Sequence, residues 1–370
     1  MMGTKTVTIL ASGFGLGLYI PGLLAAQRLR DKGVPSQVLV FENLISEEKR
    51  QSIAKSKLAS HKSFSYARMS GKMAVDMRKS LEPVLVEKLL TGWEEAGMRD
   101  FIILSGHWVY ILDQYRSRIA PKTLNAEILY IDCDLPPSWR NLKQHMPEYH
   151  INFKEVWLFD YENRKIDFQL PVCDTPPVPY DERPERFLLH GGGWGIGTYL
   201  DRIPELHRKG LALDIVVYEM EEASNRTEGD RYYMVDPAWC AWNKSKEGSF
   251  EFPPFCEVVP PKHPVFTNNA KYHNLFGITR TARAIIGKPG AGTLIDSLAS
   301  ATPLVMLEPV GVHEQKNAEF WEQMGFGIPY DKWAQLGLPT GLLKELHQNL
   351  VEYRFSVPDY TEHYKRCNDF

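Results

Sequence analysis

Three times along this 370-residue chain, an apolar run of strand length ends in a glycine cluster and passes at once into helical spacing. The runs are 6–10, 187–189 and 284–286; the clusters are Ser12-Gly-Phe-Gly-Leu-Gly17, residues 191–197 and Lys288-Pro-Gly-Ala-Gly-Thr293. A chain that turns sharply from strand into helix needs residues without a Cβ. After the first cluster, a helix at 21–32 and a strand at 38–41 complete a βαβ unit, whose crossover is right-handed and whose sheet is parallel. Strands at 101–104, 128–131 and 155–159, with helices at 81–96 and 113–119, extend the first half into a doubly wound α/β domain. Five prolines within 171–184 suit an extended connector. The pattern then restarts with a helix at 199–209, a strand at 213–217, a helix ending near 299 and a strand at 304–307. Residues 219–256 fit neither period and read as an insertion or long loops. The expected units are 1–175, 186–350 and a final segment 351–370.

With 44% hydrophobic and 24% charged residues, such a chain can bury two cores, which excludes disorder as a whole-chain description. A net charge of −3 and a pI near 6.4 lack the basic excess of a nucleic-acid binder. The five cysteines form no C-x-x-C pair, which argues against a disulfide framework or structural zinc and fits a reducing cytoplasm. Neither a signal peptide nor an unbroken apolar span of about 20 residues is expected.

Backbone N–H groups and a positive helix end at each glycine turn make a site for an anion. Ser12, Gly13, Phe14 and Gly15 resemble a dinucleotide fingerprint with the wrong third spacing, and Glu42 ends the following strand. An NAD-dependent oxidoreductase therefore stays open on that segment. In the second half, Lys288, Pro289, Gly290, Ala291, Gly292 and Thr293 suit a diphosphate on a helix N-terminus, with Asp296 reaching a ribose hydroxyl. His107 follows strand 101–104, where an imidazole near its ordinary pKa of about 6.5 could accept a hydroxyl proton. Asp132 and Asp134, ending the next strand, compete for that role. Residues 49–79 carry nine Lys/Arg against Asp76 alone, with Phe64, Tyr66, Met69, Met73 and Met77 interleaved. Such a stretch suits an anionic acceptor, an anionic membrane surface or a solvated helix face.

Together, His190-Gly-Gly-Gly-Trp-Gly-Ile-Gly197, Gly287-Lys-Pro-Gly-Ala-Gly-Thr293 and Glu314-Gln-Lys-Asn-Ala318 resemble the donor-site motifs of GT-B glycosyltransferases. The resemblance is to the branch with the diacylglycerol galactosyl- and glucosyltransferases and the peptidoglycan N-acetylglucosaminyltransferase. It implies two Rossmann-like domains facing across a cleft, and a tail that crosses back to the first. The second domain holds a nucleotide diphosphate sugar, expected to be a UDP-sugar, and the first holds an unidentified acceptor. Donor contacts are expected from Gly192, Gly193, Trp194, Gly195, the 288–293 turn, Asp296, Glu314 and Gln315, and acceptor contacts from Ser12, Gly13, Phe14 and Gly15. Transfer is expected to invert the anomeric carbon, without a metal and with no cofactor beyond the co-substrate; the Asp132-Cys-Asp134 pattern reads as coincidence. Two departures stand out. Gln315 and Asn317 are separated by one residue where the family has two, and Leu18-Tyr19 occupies the place of a frequent loop histidine. A nucleotide-sugar epimerase on the same fold is the nearest alternative.

Overall fold

A computed structural model describes residues 5–72, 76–224, 226–259 and 261–370; Met73 and part of the 49–79 stretch lie outside it. The first sheet contains β1 (Val7–Ala11), β2 (Ser36–Val40), β3 (Asp100–Ile103), β4 (Asn125–Tyr130) and β5 (Lys154–Trp157), in the order β2-β1-β3-β4-β5 and wholly parallel. β1 and β3 are buried along their whole length, as parallel strands covered by helices on both faces must be. From β1 the chain runs outward to β2 on one side and later to β3 on the other. The loops after β1 and β3 thus flank the point where strand order reverses, where doubly wound sheets open a crevice.

A short hairpin, β6 (Phe159–Asp160) and β7 (Lys165–Ile166), leads to the connector. The second sheet holds β8 (Arg186–His190), β9 (Ala212–Val216), β10 (Arg231–Val235), β11 (Phe255–Glu257), β12 (Ile285–Gly287), β13 (Leu304–Met306) and β14 (Gly327–Pro329). Its order is β11-β10-β9-β8-β12-β13-β14, with only β11 antiparallel, so its reversal lies between β8 and β12. β10 corrects the reading of 219–256 as wholly irregular: Arg-Tyr-Tyr-Met-Val is a short strand added at the sheet's flank, too brief to stand out among its charged neighbours.

Helix α1 (Leu16–Asp31) begins five residues before the expected start at Pro21, so its N-terminus lies at the glycine turn itself. The basic stretch forms α2 (Glu47–Lys62) and α3 (Phe64–Ser70). Ser46 caps α2, and Ser63 both ends it and caps α3. α4 (Pro83–Glu95), α5 (Val109–Ile119) and α6 (Pro137–His145) complete the first half. In the second half α7 (Ile203–Arg208), α8 (Leu275–Thr279), α9 (Ala291–Ser300), α10 (Val312–Gln323), α11 (Tyr330–Gln335) and α12 (Thr340–Arg354) surround the sheet. The last helix, α13 (Tyr360–Cys367), packs on α1: Lys32 Nζ lies 3.1 Å from Asp359, and the Tyr360 hydroxyl donates to Glu127 at 2.7 Å.

One continuous apolar core contains residues of both halves, from Val7 and Leu24 to Leu294 and Trp321. The connector is pinned on both sides. Arg28 donates to the carbonyls of Pro171 and Val172, and buried Arg183 donates to those of Ala282 and Ser300 and to the Thr302 hydroxyl. Burial pushes the Arg183 guanidinium down to about 10, and these acceptors offset the cost of a buried charge.

Candidate active site

The two crevices face one another across a single cavity of about 620 Å³, lined from both halves. Among the helices whose first turns reach it are α1, α9 and α10. Each has glycine at its N-cap (Gly15, Gly290, Gly311), and no side chain caps any of them. Uncapped first-turn N–H groups and the positive ends of three helix dipoles therefore converge on the space between the sheets. Beside them Lys288 Nζ pairs with Glu314 Oε1 at 2.5 Å, close to both Gly192 and Gly290. Burial alone would raise the Glu314 carboxyl, but Lys288 and His313 hold it below the usual range, and its Oε2 accepts from Val310 N at 2.8 Å.

The halves come close because two glycines permit it. A Cβ on Gly193 would lie 2.4 Å from Leu16 of α1. A Cβ on Gly195, which has φ +59, would lie 2.7 Å from the His61 ring of α2.

Of the residues the sequence singled out, the cavity wall includes Ser12, Phe14, Gly15, His107, Asp132, Gly192, Gly193, Trp194, Lys288, Gly290, Ala291, Gly292, Thr293, Asp296 and Glu314. Five others are placed elsewhere. Gly13 donates its N–H to Glu42 at 2.7 Å and is covered by Ala241. Asp134 accepts from Leu135 N and lies 3.7 Å from Lys316, away from the cleft. Gly195 turns its carbonyl to His61, and the Pro289 carbonyl accepts from Asn317. Gln315 projects from the outer side of α10 and donates to Glu319. A helix turns 100° per residue, so 313, 314 and 317 share one face and 315 falls opposite. The short Gln–Asn spacing thus puts His313 and Glu314, not Gln315, at the cleft.

Asn317 is fully buried and spans the halves. Its side-chain amide donates to Asp132 at 2.8 Å and to the Pro289 carbonyl at 2.9 Å, and its oxygen accepts from Cys133 N at 2.8 Å. Burial raises the Asp132 carboxyl above its usual range. His107 differs from the sequence expectation: burial, among the rings of Phe14 and Phe41, pushes it down to about 4, so it is neutral at physiological pH. Among the described residues, no hydrogen bond ties either nitrogen of its ring.

Several wall residues were not among the site residues the sequence singled out. His273 pairs with Asp296 at 3.0 Å from a loop with no motif, so the proposed ribose acid already has a partner. His190 accepts the Gly192 N–H at 3.1 Å and is pushed down to about 4 by burial, Lys288 and His273. His313 keeps a buried Nδ1 without a partner, and so do the hydroxyls of Ser60, Ser105 and Ser138. At the far end of the second half the wall is apolar, made by Val216, Val235, Phe255 and Leu275.

The dinucleotide reading fails on Glu42. Instead of facing a ribose, it is fully buried, accepts from Ser12 Oγ at 2.8 Å and from Gly13 N, and has its carboxyl raised by burial. Of the three readings of the basic stretch, the anionic-acceptor one finds no cation at the cavity: none of its described Lys or Arg side chains lines it.

No protein-family model and no curated protein sequence matches this chain. Solved structures do. MurG of Acinetobacter baumannii aligns over 99% of both chains with a TM-score of 0.57 at 13% identity. The glycosyltransferase SnogD of Streptomyces nogalater aligns over 98% of both at 0.55 and 13%. The Streptomyces glycosyltransferase SsfS6, complexed with thymidine diphosphate, aligns over 99% of this chain and all of its own at 0.57 and 11%. The architecture is thus the GT-B glycosyltransferase fold, two Rossmann-like domains across a cleft. At these identities the likeness speaks for the fold, and the cleft's own chemistry carries the functional argument.

Proposed function

We propose that this chain transfers a glycosyl group from a nucleoside diphosphate sugar to a hydroxyl of an acceptor held by the first half. The observation that carries the reading is the convergence of three uncapped helix N-termini and Lys288 on one cavity. Fixed N–H groups meet the charge that develops on a departing diphosphate without reorganising, which is how a site favours the transition state over the ground state. The apolar end near Phe255 and Leu275 suits a nucleobase, and the Asp296–His273 pair suits a ribose hydroxyl. His107 supplies the base: its ring nitrogens are uncommitted, whereas Asp132 Oδ1 is engaged by Asn317. In an in-line displacement the acceptor oxygen bonds to the anomeric carbon from the face opposite the diphosphate, the C1–O bond to phosphate breaks, and the hydroxyl proton passes to His107. Inversion follows from that single displacement.

The acceptor is uncharged in this reading. No Lys or Arg of the described first half lines the cavity, and the wall there combines small hydroxyls with Leu16, Ile20 and Leu24. The exposed Tyr66 and Met69, next to Arg68 and Lys72, support peripheral contact of that outer face with an anionic surface. Among the described residues no helix is long and apolar enough to cross a membrane. An epimerase would need a free carboxylate beside the diphosphate; both Glu314 oxygens are engaged, and Asp132 is held by Asn317 through Oδ1. The test is calorimetric titration with UDP, TDP and NAD. Binding of a nucleoside diphosphate and not of NAD supports the reading, and the reverse overturns it.

A further inference from the structure

His61 sits near the end of α2 in the first half, and both of its ring nitrogens touch the second half. Nδ1 lies 2.7 Å from the Gly195 carbonyl and Nε2 lies 2.8 Å from Glu222 Oε1. Both partners are acceptors: a carbonyl has no proton to give, and Glu222 is held ionised because its other oxygen accepts from the N–H groups of Tyr218 and Glu219. A neutral imidazole carries one N–H, so it can satisfy only one of the two, and the observed pair of contacts requires a proton on each nitrogen.

The surroundings are built around that ring. Tyr218 packs its ring 4.6 Å from that of His61, and Gly195 lacks a Cβ where His61 and Tyr218 would collide with one. Lys62 lies 3.6 Å from Glu219, and one turn back Lys57 reaches between the rings of Trp194 and Trp242, at 5.5 and 5.2 Å. The titratable groups facing His61 are thus Glu222, Glu219 and Tyr218 from the segment after β9, with Cys240 behind Tyr218, and Lys57 and Lys62 from α2 itself.

We propose that His61 is a positioning residue which, as the imidazolium, clasps the first half onto residues 191–197 and fixes the shape of that glycine loop. Its functional meaning rests on the reading of the loop as part of the diphosphate site. Burial by itself would lower the ring's pKa, but Glu222 and the Gly195 carbonyl raise it above the ordinary value. The sign follows. A group with a raised value in the clasped state contributes fully below the free value of about 6.5, and its contribution is lost as pH rises through the higher clasped value. The clasp therefore loosens on the alkaline side.

The experiment is hydrogen exchange on the unliganded full chain, corrected for intrinsic rate, at pH 7 and pH 9. In the parent, 191–197 and 218–222 should lose protection at the higher pH. In His61→Ala they should exchange about tenfold faster at pH 7, the worth of one charge-assisted hydrogen bond, and show no further pH change. Glu222→Gln, which keeps the shape but removes the charge, should move the parent's loss of protection to lower pH. Equal protection in parent and both variants at both pH values overturns the clasp. UDP titration of the same proteins is the separate arm. If the parent binds neither UDP nor TDP, the nucleotide reading falls, and the exchange data still decide the clasp.

Discussion

The same local device, a glycine turn between a buried strand and a helix, is used in opposite ways in the two halves. After β1 the turn has its own anion: Glu42 receives the Gly13 N–H and the Ser12 hydroxyl, and Ala241 covers the glycine. After β12 no carboxylate among the described residues accepts from the turn's N–H groups; those of α9 open into the cavity, and the neighbouring Glu314 is held by Lys288 and by Val310 N. The difference teaches that a glycine turn is an anion site only while nothing in the chain already occupies it. Glu42 takes the Ser12 and Gly13 part of the first turn and leaves only the α1 N–H groups after Gly15 to face the cavity, whereas the second turn has no such internal acceptor among the described residues.

The largest test falls on the first half. If it supplies the base, His107→Ala should lower kcat by roughly 10²–10⁴-fold with UDP affinity little changed. A variant with parental kcat, together with an inactive Asp132→Asn, would move the base one strand along. Next, Gly292 has open space where its Cβ would be, so Gly292→Trp should fold and fill the turn. Calorimetry should then show UDP affinity reduced about a hundredfold, close to 2.7 kcal/mol; undiminished binding would mean the second turn is no more open than the first. Smaller again, Glu42→Gln leaves one of two buried donors without an acceptor. It should cost about 1–3 kcal/mol in denaturant unfolding and leave UDP affinity unchanged. A large loss of UDP affinity with intact stability would erase the contrast between the halves. The smallest effect is expected from EDTA, because helix ends meet the phosphate charge in place of a metal. Turnover lost in chelator and restored by magnesium would refute that.

Much of this was legible in the sequence because it is local. Apolar runs, prolines and Cβ-free turns report strand, connector and strand-to-helix geometry within a few residues, so the two doubly wound halves and the 288–293 turn could be read directly. β10 escaped because five residues at a sheet's flank carry too short a pattern. Side-chain assignments fared worse wherever a distant partner decided them. Nothing near Glu42 in sequence says that it folds back onto Gly13, nothing near His107 says that Phe14 and Phe41 will pack against its ring, and nothing near Asp296 announces His273. Gln315 was a matter of phase: helix rotation was readable, but only the seating of Asn317 between Asp132 and Pro289 sets which face of α10 looks inward. The sequence by itself thus determined where the chain turns and which backbone groups are free to bind. The tertiary structure decided which of those groups are already satisfied, because hydrogen-bond partners and packing come from residues far apart in sequence, 185 positions for Asn317 and Asp132.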